Sequence, residues 1–284
     1  MVARPSRLIV VAMNDVAAAL KNHRPALLGA DDPAPFEVVN GTGPTRAFLL
    51  CDHASWTVPL ALKGLGLDES VLRRHIGWDI GAADVTRRLA GLLDAPALLA
   101  GYSRLVIDCN RPTGESNSIP PVSDGVTVPG NQEVDCDAAQ ARIDACFTPY
   151  HQAVEAAISR ADGITGGPAI ISVHSFTPVM DGFERPWHVG VLWHGDDRLS
   201  APLLAALRED RTIRVGDNEP YSGMVPRPYT IPTHAEKPGR PHVAVEIRQD
   251  LIDTHHGAEA WANRLAAALR DVLADPAAFA PLVG

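Results

Sequence analysis

The chain predicts a three-layer α/β/α fold, one sheet with helices packed on both faces. Three observations predict it. Short apolar runs recur along the chain at the length of buried strands. Amphipathic stretches long enough for helices separate them. No internal repeat and no low-complexity tract breaks the alternation.

Residues 1–44 read as an N-terminal extension, with turn-rich Asp31-Asp32-Pro33-Ala34-Pro35 and Asn40-Gly41-Thr42-Gly43-Pro44. Within it, the apolar run Leu8–Met13 is too short to span a bilayer and has no signal-peptide cleavage site after it. Ala47–Cys51 is the first strand, being apolar and too short for a helix. Asp68 then caps a helix with Glu69 in its first turn, continuing through Leu72, Ile76, Val85 and Leu89 to about Leu93. Ala97–Ala100 and Leu105–Ile107 are strands. Residues 112–135 are rich in proline and glycine and read as a long loop, of the kind that is functional or disordered. A helix over 137–161 follows, then strands 169–173 and 188–193, a short helix near 199–209, and a proline-rich stretch from Pro220 to Pro241. Strand 242–247 and an Ala- and Leu-rich helix over 257–274 close the chain. One domain over 1–284 accounts for this order, and 284 residues can bury a large core.

Composition narrows the function. The content of 46% hydrophobic and 21% charged residues is that of a soluble globular protein. A net charge of -9 argues against nucleic acid as the main partner, because phosphate binding needs a basic surface. It leaves room for a small carboxylate held by local arginines. Cys51, Cys109, Cys136 and Cys146 form no C-x-x-C pair, so a reduced, cytoplasmic protein is expected, with no membrane partner. The apolar helix faces leave homo-oligomerisation open.

The chemistry concentrates at strand ends. His53 follows the run 47–51 in Asp52-His53-Ala54-Ser55, and His174 follows 169–173 in His174-Ser175-Phe176-Thr177-Pro178. A lone histidine after a strand is commonly a hydrogen-bonded structural residue. Here the small polar neighbours leave space for a ligand, and Asp52 can orient the His53 ring. Two imidazoles and a carboxylate suit a mononuclear metal hydrolase. Asp79 lies in a Gly-rich apolar stretch. It reads either as a solvent-facing residue or as the third ligand, with His75 one helical turn away as the reserve. Glu246 ends the last strand on the face of Ala244, where it needs a partner such as Arg248 or a role as general acid and base. Arg104 and the pair Asn110-Arg111 flank the strand 105–107. They are either its solvated ends or, for Asn110-Arg111, a carboxylate clamp and, for Arg104, an oxyanion stabiliser. Dinucleotide, phosphate-loop, H-E-x-x-H and G-x-S-x-G motifs are absent.

Taken together, five segments resemble the N-formylglutamate amidohydrolase family. They are Asp52-His53-Ala54-Ser55 with Pro59, Trp78-Asp79, Ser103–Pro112, His174–Pro178 and Val245–Gln249, in order over roughly residues 45–255. The resemblance implies a hydrolase fold similar to zinc-dependent exopeptidases, with a mixed central sheet. It implies one divalent metal, zinc by ligand type, on His53 and His174, with Glu246 as catalytic carboxylate and Arg104 on the oxyanion. Asn110 and Arg111 would hold the substrate carboxylate, and Arg248 joins them as a substrate-binding candidate. Exopeptidases of this kind place a glutamate ligand three residues after the first histidine; Trp56 stands there, so Asp79 is assigned as third ligand. The expected reaction is hydrolysis of N-formyl-L-glutamate to formate and glutamate. The alternatives are a carboxypeptidase or deacylase on another N-acyl compound, and a non-catalytic carboxylate-binding protein.

Overall fold

The computed structural model describes residues 27–165, 167–223 and 228–282. The apolar run 8–13 lies outside them. Among the described residues no helix is long and apolar enough to cross a membrane.

The described residues form eleven strands: β1 Phe36–Val39, β2 Ala47–Cys51, β3 Ala97–Ala100, β4 Val122–Ser123, β5 Val126–Thr127, β6 Ala169–Phe176, β7 Val179–Met180, β8 Phe183–Glu184, β9 Val189–Leu192, β10 Val215–Asp217 and β11 His242–Arg248. The α-helices are α1 Glu69–Leu72, α2 Ala82–Leu93, α3 Cys136–Arg142, α4 Thr148–Thr165, α5 Ser200–Glu209 and α6 His255–Ala274. Seven strands form one sheet in the order β1-β3-β2-β6-β11-β9-β10, and β4-β5 and β7-β8 are separate two-stranded hairpins. The four central strands β3, β2, β6 and β11 run parallel. β1 is antiparallel to β3, and β9 is antiparallel to β11. The sheet is therefore mixed, and helices lie on both faces.

Side-chain alternation sorts the core. Leu49, Ile171, Val173, Val243 and Val245 face α2, α5 and α6 in one large buried cluster. Phe48, Leu50, Leu98 and Ile170 face the other way and meet Tyr150, Val154 and Ile158 of α4. No residue of β9 or β11 belongs to that second cluster. On this face α4 covers the β1-to-β6 side of the sheet and leaves the other side for a cavity. Strands buried on both faces read as continuous apolar runs, which is why β2 and β6 were visible in the sequence.

Several elements depart from the sequence reading. Phe36–Val39 of the expected extension pairs with β3 as an edge strand. Leu105–Ile107 is not a strand: Val106 N–H bonds back to Ser103 O (2.9 Å), making a turn. Its three apolar side chains fill a third core cluster beneath the loops. The helix expected over 68–93 breaks after Leu72 and restarts at Ala82. Gly81 causes the restart, with φ 80° and the Ile252 carbonyl 2.1 Å from where a Cβ would stand. The helix expected over 137–161 widens into a π turn at 143–147 before α4. Pro149 has no N–H to give the Ala145 carbonyl, which a wider turn tolerates. The loop over 112–135 contains the β4-β5 hairpin, turning at Asp124 and Gly125, both with positive φ.

Candidate active site

The candidate side chains gather at the carboxyl ends of the parallel strands, where open α/β sheets bind ligands. His53 stands just past β2. His174 lies in β6, in register with Glu246 of β11. Asp79 is brought to them by the broken helix: its N–H donates to the His53 carbonyl (2.9 Å), and Ser175 Oγ donates to the Ile80 carbonyl (2.8 Å). Asp79 thus sits in a turn, not on a helix face. His75 lines the same cavity outside this cluster, with Nε2 3.1 Å from Asp124 of the hairpin tip.

His53, Asp79 and His174 are all buried, and one ligand atom from each lies within 4.8 Å of the others. Asp79 Oδ2 is 2.9 Å from His174 Nδ1 and 3.3 Å from His53 Nδ1. The far nitrogens are held from behind. His53 Nε2 is 2.7 Å from Asp108 Oδ1. His174 Nε2 is 2.9 Å from Ser172 Oγ and 3.5 Å from Asp52 Oδ2. Asp52 also accepts from Tyr150 Oη (2.8 Å) and Thr230 Oγ1 (2.9 Å). The expectation that Asp52 orients His53 is corrected: it serves His174, and Asp108 serves His53.

Arg104 Nη2 donates to Asp108 Oδ2 (2.8 Å), and Nη1 lies 3.5 Å from Asp79 Oδ1. Two of its five N–H groups are so engaged, and the side chain still lines the cavity. Asn110 Oδ1 accepts from the backbone N–H of Tyr229 (3.0 Å) and Thr230 (3.1 Å), and the residue lines the cavity. Arg111 lines the cavity, and among the described residues its side chain donates to the Asn110 carbonyl (2.7 Å). Glu246 and Ala244 share the cavity face of β11. The cavity holds about 440 Å³.

One sequence assignment needs correction. Arg248 is not part of the cavity wall; its guanidinium is taken by Asp250 (2.8 and 3.2 Å). It lies at the end of β11, two residues past Glu246, and its pairing with Asp250 leaves it neither a partner of Glu246 nor a wall of the cavity. Trp56 also lies off the site, stacked under the Arg73 guanidinium at 4.1 Å. The sequence reading missed the supporting residues Asp108, Tyr150, Ser172 and Thr230. Asp108 stood between Arg104 and Asn110, and a carboxylate buried in an apolar run was the available signal. Ser172 stands two residues before His174 on the same face of β6, a spacing that strand alternation offered, whereas Tyr150 and Thr230 come from distant elements and gave no signal.

The family model for N-formylglutamate amidohydrolase matches residues 45–253, a span that holds every one of these side chains. The chain belongs to the N-formylglutamate amidohydrolase family. It is similar to the gene product Atu2144 from Agrobacterium tumefaciens, with 33% identity, TM-score 0.83, and coverage of 87% of this chain and 98% of that one. A structure of N-formylglutamate amidohydrolase from Ralstonia eutropha JMP134 shares the fold at 19% identity and TM-score 0.59, covering 84% of this chain and 97% of that one. No curated protein matches significantly.

Charge at the family site is balanced by burial and partners. Burial alone pushes the His53 imidazole down, as does Arg104, but Asp108 and Asp79 outweigh both and leave it raised. Burial opposes ionisation of Asp52, yet His174, His53 and the Tyr150 hydroxyl bring it down to about 2. Burial pushes Glu246 up to about 7 against the pull of His174. Glu246 Oε2 is buried with no hydrogen-bond partner among the described residues.

These contacts also test the fit of a metal. A neutral His53 that gives Nε2–H to Asp108 turns the Nδ1 lone pair on the Asp79 carboxylate. His174, giving Nε2–H to Ser172, does the same. Three acceptor atoms would then face one another, an arrangement that suits a cation between them. Carboxylate-backed imidazoles are the usual support of metal ligands. His53, Asp79 and His174 therefore fit a divalent metal ion.

Proposed function

We propose that the chain hydrolyses the amide bond of an N-acyl amino acid in a metal-dependent reaction. N-formyl-L-glutamate, giving formate and L-glutamate, is the substrate on which to test it. The observation that carries the reading is the convergence of His53 Nδ1, His174 Nδ1 and Asp79 Oδ2 near Glu246, whose buried Oε2 has no hydrogen-bond partner among the described residues.

His53, Asp79 and His174 would hold the ion, for which two imidazoles and a carboxylate suit zinc. Such an ion supplies Lewis-acid activation of water and of the scissile carbonyl. Glu246 takes a proton from the attacking water as the new C–O bond forms at the acyl carbon. The same carboxyl then gives that proton to the leaving nitrogen as the C–N bond breaks. Its upward shift to about 7 suits a group that must both accept and return a proton near neutrality. Arg104 has N–H groups left to donate to the oxygen that becomes negative. Arg111, with the Asn110 amide beside it, receives the substrate carboxylate and fixes the amide in place. The four cysteines are unpaired and three are buried, which supports a reducing, cytoplasmic setting.

The test is Glu246→Gln assayed beside wild type for formate release and for bound metal. The variant is expected to keep its metal and lose about 10²–10⁴-fold in kcat, the usual contribution of a positioned acid and base. Near-wild-type turnover would remove Glu246 from the chemistry. A metal-free protein that binds carboxylates without cleaving any amide would instead be a binding protein.

A further inference from the structure

The cavity extends past the groups that act on the amide. Its volume of about 440 Å³ is that of pockets for drug-sized ligands. N-formylglutamate has only about a dozen non-hydrogen atoms and leaves part of such a space empty. Beyond Glu246 the wall becomes apolar: Phe176 at the end of β6, Met180 of β7, Leu192 and Trp193 at the end of β9, and Tyr221 line it, with Ala244 as a small residue on the same strand face as Glu246.

This wall is held in place from behind. Arg185 is only 8% exposed. Its Nη1 donates to the Tyr221 hydroxyl (3.0 Å) and the Thr177 hydroxyl (3.2 Å), and its Nη2 reaches the Met180 sulfur (3.0 Å). The same guanidinium lies 4.8 Å from the Tyr221 ring and 5.8 Å from the Phe176 ring. Trp193 is fixed separately, with Nε1 donating to Asp217 (2.9 Å) and the backbone N–H to Asn218 (3.0 Å). Gly223 packs so closely that a Cβ there would come within 2.5 Å of the Trp193 carbonyl. Aromatic and thioether groups locked against an accessible space favour an apolar occupant, because filling it releases water without any ordering cost to the wall.

We infer that this wall is an apolar subsite for a large aromatic or branched aliphatic group of the substrate. The inference rests on the amide-hydrolase reading of the neighbouring groups. The apolar group reaches the wall either as the amino-acid side chain or as the acyl substituent, and two arms of one experiment separate these sources.

The first arm compares N-formylglycine, N-formyl-L-glutamate and N-formyl-L-phenylalanine. The second compares N-formylglycine with N-benzoylglycine. Burying a phenyl group should raise kcat/KM about 10–100-fold over the glycine compound on one arm. On the side-chain arm the glutamate compound falls between the other two. A gain on either arm supports the subsite and assigns its occupant; rates within about twofold on both arms overturn it. Trp193→Ala removes wall and Ala244→Leu fills the space, so each should lower the phenyl-to-glycine ratio. An unchanged ratio in both variants also overturns the proposal.

Calorimetry with 3-phenylpropanoate and propanoate reads the same subsite without turnover. About tenfold tighter binding of the phenyl compound, weakened in both variants, is expected. Equal affinities would overturn the subsite even if every amide were hydrolysed. Preferential phenylpropanoate binding without hydrolysis of any amide would instead remove the hydrolase reading and leave the subsite standing.

Discussion

Replacing Asp108 by asparagine should weaken the site twice, once in stability and once in metal affinity. Asp108 is buried and accepts three bonds: His53 Nε2 at 2.7 Å and Asn110 N at 2.8 Å on Oδ1, and Arg104 Nη2 at 2.8 Å on Oδ2. An asparagine of the same shape has one acceptor oxygen. Its NH₂ must then point either at the Arg104 guanidinium or at the two N–H groups on the other side, donor against donor. The lost charge also leaves Arg104 with Asp79 at 3.5 Å as its remaining carboxylate. Breaking a buried pair costs about 3–5 kcal/mol. Arg104 keeps 25% of its side chain exposed, so the expected loss is at the lower end, about 3 kcal/mol. Without the carboxylate behind it, His53 becomes a poorer ligand, and zinc affinity should fall about 10–100-fold. Urea unfolding of the metal-free protein measures the first effect, and zinc titration against a competing chelator measures the second. Glu69→Gln, which removes an exposed pair with Arg73, is the control and should change stability by less than about 1 kcal/mol. Asp108→Asn indistinguishable from that control in both measurements would refute the account of the support behind His53.

Metal-free protein should lose stability as pH rises from 4.5 towards 7. Glu246 is raised from 4.5 to about 7, so the folded state resists its ionisation across that window, by about 3 kcal/mol in all. The stability is present below 4.5 and lost as pH climbs to the folded value. Urea midpoints of wild type and Glu246→Gln across the window check it, and equal slopes would contradict it. Arg111→Ala should raise KM by at least about tenfold with little change in kcat if the residue only binds carboxylate; steady-state kinetics decide. Two glycine substitutions should have opposite signs in thermal unfolding. Gly190→Ala puts a Cβ 1.9 Å from the Glu219 carbonyl and should destabilise by several kcal/mol or abolish soluble protein. Gly91→Ala lies inside α2 with nothing within 4 Å and should stabilise by up to about 1 kcal/mol. Tyr150→Phe removes one donor from buried Asp52 and should cost about 1–3 kcal/mol, read by the same unfolding.

The legible parts of the site share a property: each lies at the end of an apolar run. His53, His174 and Glu246 follow or end strands buried on both faces, and such strands announce themselves by length and composition. Asp79 was legible as a carboxylate among glycines, but the apolar spacing from Leu72 to Leu89 suggested an unbroken helix. The positive φ at Gly81 and its contact with Ile252 belong to no local pattern. Arg248 was misplaced for the reverse reason. Strand alternation correctly put it on the face of Glu246, but at the strand end the Asp250 carboxylate captures it.

The sequence by itself determined the α/β layering, the family, the metal-ligand candidates, and the presence of Glu246, Arg104, Asn110 and Arg111 along one ordered set of segments. Those features depend on residue type and on neighbours a few positions away, which is what a linear pattern records. Only the tertiary structure decided which carboxylate supports which histidine, that Asp79 reaches the site from a turn, and that Arg185 fixes an apolar wall beside Glu246. Such pairings join residues far apart in the chain, as when Tyr150 and Thr230 meet on Asp52. Hydrogen bonds act over about 3 Å in space. Sequence separation of a hundred residues carries no information about them until the sheet brings the strands together.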